Sequence, residues 1–328
     1  MLEVEAWQDL VLTQGTVAST QLNMQPLLRN CIVSSLLVVF VAVIPTWIDR
    51  SRTFQVNEGG VVVITGATSG LGKDAAFFFA RSGYHVLAGA RSESKAAALA
   101  SEAKEAGVPM DNFETVVGDV SNASDHAPLV ERAEAAMKAK SVAFTGLVNN
   151  AGIHHSSLEG RMEGIDVWRT LYDVNVFAPV ALTMAFHDVL IAHKGRVVNV
   201  GSVAGEITVK DGGPYCSSKH ALRSISDAQR MQYSAHGVSV SLVAPGYVAS
   251  NMCDPKVRRD CGRLEAKDTT TPAYFDALTS PTPKTKYLVA HIGGGTPAWV
   301  ATLLSAFVPS RVGDYLQERG SHSHHREG

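Results

Sequence analysis

From Gly59 onward, short apolar runs rich in β-formers recur between helical stretches, at residues 61–64, 85–88, 113–117, 144–148, 196–200 and 239–243. Strands that alternate with helices imply a parallel sheet wound in both directions, because each return to the same edge needs a helical crossover. The runs are short and mainly apolar, as expected of strands covered by helices on both faces. In such α/β sheets ligands bind beyond the carboxyl ends of the strands, so the residues just after each run are the candidate site.

The chain of 328 residues, 45% of them hydrophobic, supplies an ample core for one large α/β domain with appendages. A net charge of -2 and the lack of a basic cluster interleaved with aromatics argue against a nucleic-acid partner. The four cysteines, Cys31, Cys216, Cys253 and Cys261, have neither metal-ligand nor disulfide-framework spacing, so reduced thiols and no metal are expected. Two long helices are predicted, over 166–193 and over 214–236.

The segments after the runs carry a distinctive series of residues. The first run leads into Thr65-Gly66-Ala67-Thr68-Ser69-Gly70-Leu71-Gly72. Glycines here let the backbone turn tightly and approach a pyrophosphate, while the next helix offers amide donors at its positive end. Later segments read Gly118-Asp119-Val120, Asn149-Asn150-Ala151-Gly152, Asp173-Val174-Asn175-Val176, Asn199-Val200-Gly201-Ser202, Tyr215-Cys216-Ser217-Ser218-Lys219 and Pro245-Gly246-Tyr247-Val248. By motif and order, residues from about 59 to about 315 resemble the short-chain dehydrogenase/reductase family. One departure is Gly201, which stands where many relatives carry a second serine.

The resemblance implies a Rossmann-like fold and a nicotinamide oxidoreductase acting between a carbonyl and an alcohol. It gives Ser202, Tyr215, Lys219 and Asn175 catalytic roles. Ser202 would hold the substrate oxygen, Tyr215 exchange its proton, and Asn175 steady a water in the proton relay. Lys219 would hold the nicotinamide ribose, and, four residues from Tyr215 on one helical face, its ammonium would favour the phenolate. The cofactor set carried over is Gly66, Thr68, Ser69, Gly70, Leu71, Gly72, Asp119, Val120, Asn150, Ala151, Gly152, Tyr215, Lys219, Pro245, Gly246 and Val248, with Asp119 at the adenine. NAD-specific relatives place an acid after the second strand; here the sequence reads Ala88-Gly89-Ala90-Arg91-Ser92, and Arg91 can pair bidentately with a 2'-phosphate. NADPH is therefore expected over NADH, with NAD(H) as the alternative. A tethered NADPH-binding scaffold without turnover is a second alternative, disfavoured by the presence of all four catalytic residues.

Residues 30–48 contain no charged side chain. As a helix, nineteen residues at ~1.5 Å rise reach ~28 Å, close to the ~30 Å of a bilayer core. The segment reads as an N-terminal transmembrane anchor after a 29-residue tail, with a buried helix, an interfacial helix or a signal peptide as alternatives. Arg50 and Arg52 after the span, against Arg29 before it, place the catalytic domain in the cytosol of an endoplasmic-reticulum-like membrane. The domain is drawn over 59–318 and a disordered His-rich tail over 319–328. Residues 253–290 are expected to cover the substrate. Residues 287–315 look like the apolar carboxyl-terminal helix of hydroxysteroid and retinol dehydrogenase-like relatives, which suits a lipophilic substrate. The resemblance also implies a homodimer through the two long helices. His154 and His155 either line the substrate cleft or are exposed loop residues, and Cys216 is read as a small packed residue.

Overall fold

Seven parallel strands build the central sheet of the computed structural model, in the order β3-β2-β1-β4-β5-β6-β7. The structure describes residues 52–154, 164–209, 212–248, 264–292, 296–300 and 302, all within one compact unit. The anchor segment at 30–48, both terminal tails, His155, Cys31, Cys253 and Cys261 lie outside the described residues.

Strands β1 (Val61–Ile64), β2 (His85–Ala90), β3 (Phe113–Val117), β4 (Phe144–Asn149), β5 (Arg196–Val200) and β6 (Ser239–Pro245) coincide with the six apolar runs to within two residues. Every residue of β1, β4, β5 and β6 is buried, as expected of central strands covered on both faces. Alternate side chains feed two cores. Val62 and Ile64 join Phe79 of helix α1 (Gly70–Arg81), Leu99 of α2 (Glu93–Glu105) and Tyr274 and Leu278 of α8 (Thr270–Thr279). Val61 and Val63 face Leu129 and Met137 of α3 (His126–Lys140) and Tyr233 of α7 (Gly213–Ser234) on the other side. At about 1.5–3 kcal/mol for each fully buried Val, Leu, Ile or Phe, these two faces supply most of the drive to fold.

Two expectations change. Residues 166–193 do not form one helix: α4 (Ile165–Tyr172) runs into a π-helical turn (Asp173–Phe177), then α5 (Ala178–Ala185), and a 56° bend precedes α6 (His187–His193). The apolar periodicity continues across the break, so the pattern alone does not reveal it. Tyr287 belongs not to a helix but to the edge strand β7 (Lys286–Val289), beyond which β8 (His291–Ile292) and β9 (Thr296–Pro297) pair antiparallel. Most of 298–315 lies outside the described residues. Of the segment expected to cover the substrate, residues 253–263 lie outside the described residues, and in α8 Thr270, Tyr274 and Leu278 are fully buried against the sheet. Among the described residues, no single helix is long and apolar enough to cross a membrane.

Buried Arg196, at the start of β5, ties two segments to the sheet. Its guanidinium donates to the carbonyls of Ala277 and Ser280 at 3.1 and 2.6 Å and to that of Gln55 at 2.9 Å. Desolvation lowers its pKa to about 10, which still leaves it charged at neutral pH.

Candidate active site

Between β1 and β4 the winding reverses, and there two loops meet at the carboxyl ends of the strands. Gly66, with φ at +64°, lies so close to the opposing loop that a Cβ would stand 2.8 Å from Ala151 Cα. A Cβ at Gly72 would meet both Asn150 Nδ2 and, at 2.6 Å, Gly66 O. The two positions therefore demand glycine on steric grounds. The Thr65 hydroxyl accepts from Asn150 N and Ala151 N at 3.1 and 3.0 Å, and Asn150 Nδ2 donates to Thr65 O at 2.8 Å. Buried Tyr274 donates to Asn150 Oδ1 at 3.3 Å. Asn150 thus joins the glycine loop to the end of β4.

A cavity of about 420 Å³ opens above this junction. Gly66, Thr68, Ser69, Gly70 and Leu71 line it, together with Arg91, Asp119 and Val120 and with Asn150, Ala151 and Gly152. Its shape and lining fit a dinucleotide. Asp119 is fixed for a contact: its carboxylate accepts from Ser121 N and Oγ at 3.0 and 2.7 Å, bonds that hold it below the usual carboxylate range, helped by the Arg91 charge. Lys95, in the first turn of α2, also lines the cavity, and the sequence reading missed it.

Gly72 sits behind the loop it supports rather than in the cavity wall. Pro245, Gly246 and Val248 stand apart from the cavity, at the end of β6 beside Ser202, whose hydroxyl lies 3.5 Å from Pro245 O.

The polar side chains predicted for chemistry converge past Gly152. A Cβ on Gly152 would lie 3.3 Å from Asn175 Oδ1 and 3.5 Å from Lys219 Nζ. Asn175 occupies the π-helical turn, a local distortion found mostly at functional sites. It is fully buried, accepting from Ile153 N and donating to Ile153 O, each at 2.9 Å, so it pins the segment that follows β4. Ser202 caps a short turn (Val203–Gly205), its hydroxyl accepting from Ala204 N at 3.1 Å and hydrogen-bonded to Tyr215. Tyr215 and Lys219 lie on α7, and His154, in the cavity wall, packs edge-on against the Tyr215 ring with centroids 4.6 Å apart.

The electrostatics differ from expectation. Burial raises the Tyr215 phenol above its ordinary value, and the hydrogen bond with Ser202 opposes that rise. The Lys219 ammonium does not set it: Nζ lies 5.8 Å from the ring centroid and donates instead to Val200 O at 2.9 Å. Lys219 is itself pushed down to about 8 by desolvation. Four-residue spacing brings the two side chains to one face, with the ammonium over the Tyr215 ring. Cys216 is fully buried, as a packed residue should be.

Buried Asn149 donates to Asn199 Oδ1 at 2.9 Å, and Asn199 donates in turn to Ser226 and Gln229 of α7, both at 2.9 Å. This network fixes α7, and with it Tyr215 and Lys219, to β4 and β5.

Residues 60–260 match the family model for short chain dehydrogenases. Rat dehydrogenase/reductase SDR family member 7B is 30% identical over 269 residues, 77% of this chain and 75% of that protein. Human dehydrogenase/reductase SDR family member 9 is 31% identical over 194 residues, 59% of this chain and 58% of that protein. Human retinol dehydrogenase 16 is 32% identical over 201 residues, 61% of each chain. The chain thus spans less than two thirds of the length of these last two. A crystal structure from Beutenbergia cavernae, described as a proposed NAD(P)-dependent gluconate 5-dehydrogenase with bound NADP at low occupancy, superposes with a TM-score of 0.60 at 28% identity, covering 74% of this chain and 97% of that one.

Proposed function

The chain belongs to the short-chain dehydrogenase family, and from that premise we propose that it is an NADP(H)-dependent oxidoreductase interconverting a carbonyl and an alcohol on a lipophilic substrate. The observation that carries this reading is the convergence of Ser202, Tyr215 and Lys219 beside Gly152 and His154, two residues of a cavity wall that also holds Arg91 and Lys95. The bound dinucleotide would supply or accept the hydride. Gly66 to Gly72 would cradle its pyrophosphate, Asp119 its adenine, and Arg91 with Lys95 a 2'-phosphate that an acidic strand end would repel.

In the reductive direction Tyr215 donates its phenolic proton to the substrate oxygen as negative charge develops there. A phenol held protonated by burial is suited to that role. Ser202 donates to the same oxygen and orients the carbonyl. Lys219 steadies the nicotinamide ribose, and Asn175 holds the proton path behind Gly152.

The name of the retinol dehydrogenase relative and the uncharged 30–48 segment support a lipophilic substrate and membrane attachment, with the catalytic domain on the cytosolic side. Exposed Phe177, Met184 and Met231 on the π-helical turn, α5 and α7 support a homodimer through that face.

The test is NADPH oxidation by the detergent-solubilised protein across lipophilic ketones and aldehydes, beside Tyr215→Phe. Turnover that the substitution abolishes, with NADPH binding kept, supports the proposal. Turnover of equal rate in both proteins overturns the role of Tyr215, and tight NADPH binding with no turnover of any carbonyl favours the scaffold reading.

A further inference from the structure

Directly after the Ser202 turn comes Glu206, a carboxylate whose side chain is only 1% exposed. Two cations from different elements hold it: Arg223 of α7, with Nη1 2.7 Å from Oε2, and Lys286 of β7, with Nζ 3.0 Å from Oε1. A buried carboxylate costs several kcal/mol unless it is paired, and here each oxygen has a cation beside it, Lys286 as a hydrogen-bond donor to Oε1 and Arg223 as an ion pair at Oε2 without hydrogen-bond geometry. Arg223 follows Tyr215 and Lys219 at intervals of four along α7, so all three share one face. The turn already lies on that face, since a Cβ at Gly205 would stand 2.7 Å from Lys219 O. At the other end of the same turn, Ser202 reaches Tyr215. The ion pairs and the Ser202–Tyr215 hydrogen bond are thus two ends of one rigid five-residue piece.

We propose that Glu206 is a positioning residue, holding the Ser202–Gly205 turn against the Tyr215–Lys219 face of α7 through its pairs with Arg223 and Lys286. The inference rests on the roles proposed above for Ser202 and Tyr215. Its partners lie far from Glu206 in sequence, on a helix and on the edge strand, so no local motif announces it.

The test reads Tyr215 directly and needs no substrate. The groups that face Tyr215 are Lys219 and Cys216 on α7, His154 after β4, and the Ser202 hydroxyl. Those that face Glu206 are Arg223 and Lys286. The full chain, solubilised in detergent, is labelled with 3,5-difluorotyrosine, whose fluorines bring phenol ionisation toward neutral pH and report it by 19F NMR. The Tyr215 signal is the one lost in Tyr215→Phe.

Glu206→Gln is expected to shift the Tyr215 titration upward, as Ser202→Ala does, because either change removes the hydrogen bond that stabilises the phenolate. In the Ser202→Ala background the Glu206→Gln shift should vanish, since the path from Glu206 to Tyr215 runs through Ser202. An equal shift in both backgrounds, or none in the parent, overturns the proposal. Should Glu206→Gln fail to fold, Arg223→Met, on the half-exposed partner, completes the same cycle with the same expected outcome. Because no step depends on turnover, an inactive protein that passes this test would refute the proposed reaction while leaving the positioning role intact.

Discussion

Lys219 is the residue at which the site and the fold pull against each other. It is 5% exposed, has no carboxylate against it among the described residues, and titrates near 8 against an ordinary 10.5. The difference is worth about 3 kcal/mol against folding while the group is charged, at ~1.4 kcal/mol per pKa unit. Replacing it with Met removes that cost and keeps the volume. It also removes the donor to Val200 O, a loss of about 1 kcal/mol. Lys219→Met should therefore stabilise the cofactor-free protein at pH 7 by about 2 kcal/mol, which is about 4–8 °C in Tm for a domain of this size.

The pH dependence follows from the direction of the shift. Between about 8 and 10.5 the unfolded chain keeps a proton on Lys219 that the folded chain has lost, so raising the pH through this window stabilises the parent relative to the variant. The advantage of the Met variant should be full below about pH 8 and gone near pH 9.5. Thermal unfolding followed by circular dichroism at both pH values provides the assay. A Met variant less stable than the parent at pH 7, or a difference that ignores pH, would refute the reasoning that a desolvated ammonium is held there at a stability cost.

Other consequences can be measured separately. Gly72→Ala drives a methyl into Asn150 Nδ2 and Gly66 O, and should weaken NADPH binding at least tenfold by fluorescence titration while also lowering Tm. Arg91→Asp should reverse a preference for NADPH over NADH, and Lys95→Ala should weaken NADPH alone by severalfold; unchanged NADPH-to-NADH affinity ratios would sink the 2'-phosphate assignment. Arg196→Ala leaves the carbonyls of Gln55, Ala277 and Ser280 without their donor and opens a large buried cavity, so it should cost at least about 3 kcal/mol in urea unfolding. Met184→Glu with Met231→Glu should convert a dimer to a monomer in light scattering, and a parent that is already monomeric would dismiss the dimer face.

The first six strands were legible because each is a short run rich in β-formers set between helical stretches. Strand β7 escaped because it is a four-residue edge strand in which only Tyr287 is buried, too short and mixed to stand out. The break within 166–193 escaped because a π-helical turn changes hydrogen bonding without interrupting apolar periodicity. Ser202, Tyr215, Lys219 and Asn175 could be picked out by order and spacing, and the structure brings them together. What spacing could not give was their electrostatics: the phenol answers to burial and Ser202, and the lysine to Val200, through contacts made by different strands. Lys95, Glu206 and Thr65 were missed for a related reason, since their importance lies in partners 17 to 86 residues away or in a cavity that only the folded chain forms.

The most direct test of the central claim follows a labelled hydride. NADPH carrying deuterium at C4 of the nicotinamide is incubated with the detergent-solubilised protein and a panel of lipophilic aldehydes and ketones, and the alcohols are analysed by mass spectrometry. The account predicts one deuterium on the former carbonyl carbon, delivered from a single face of the ring, and its loss in Tyr215→Phe despite retained NADPH binding. Alcohol formed without deuterium from either face, or deuterium transfer undiminished in Tyr215→Phe, would contradict it.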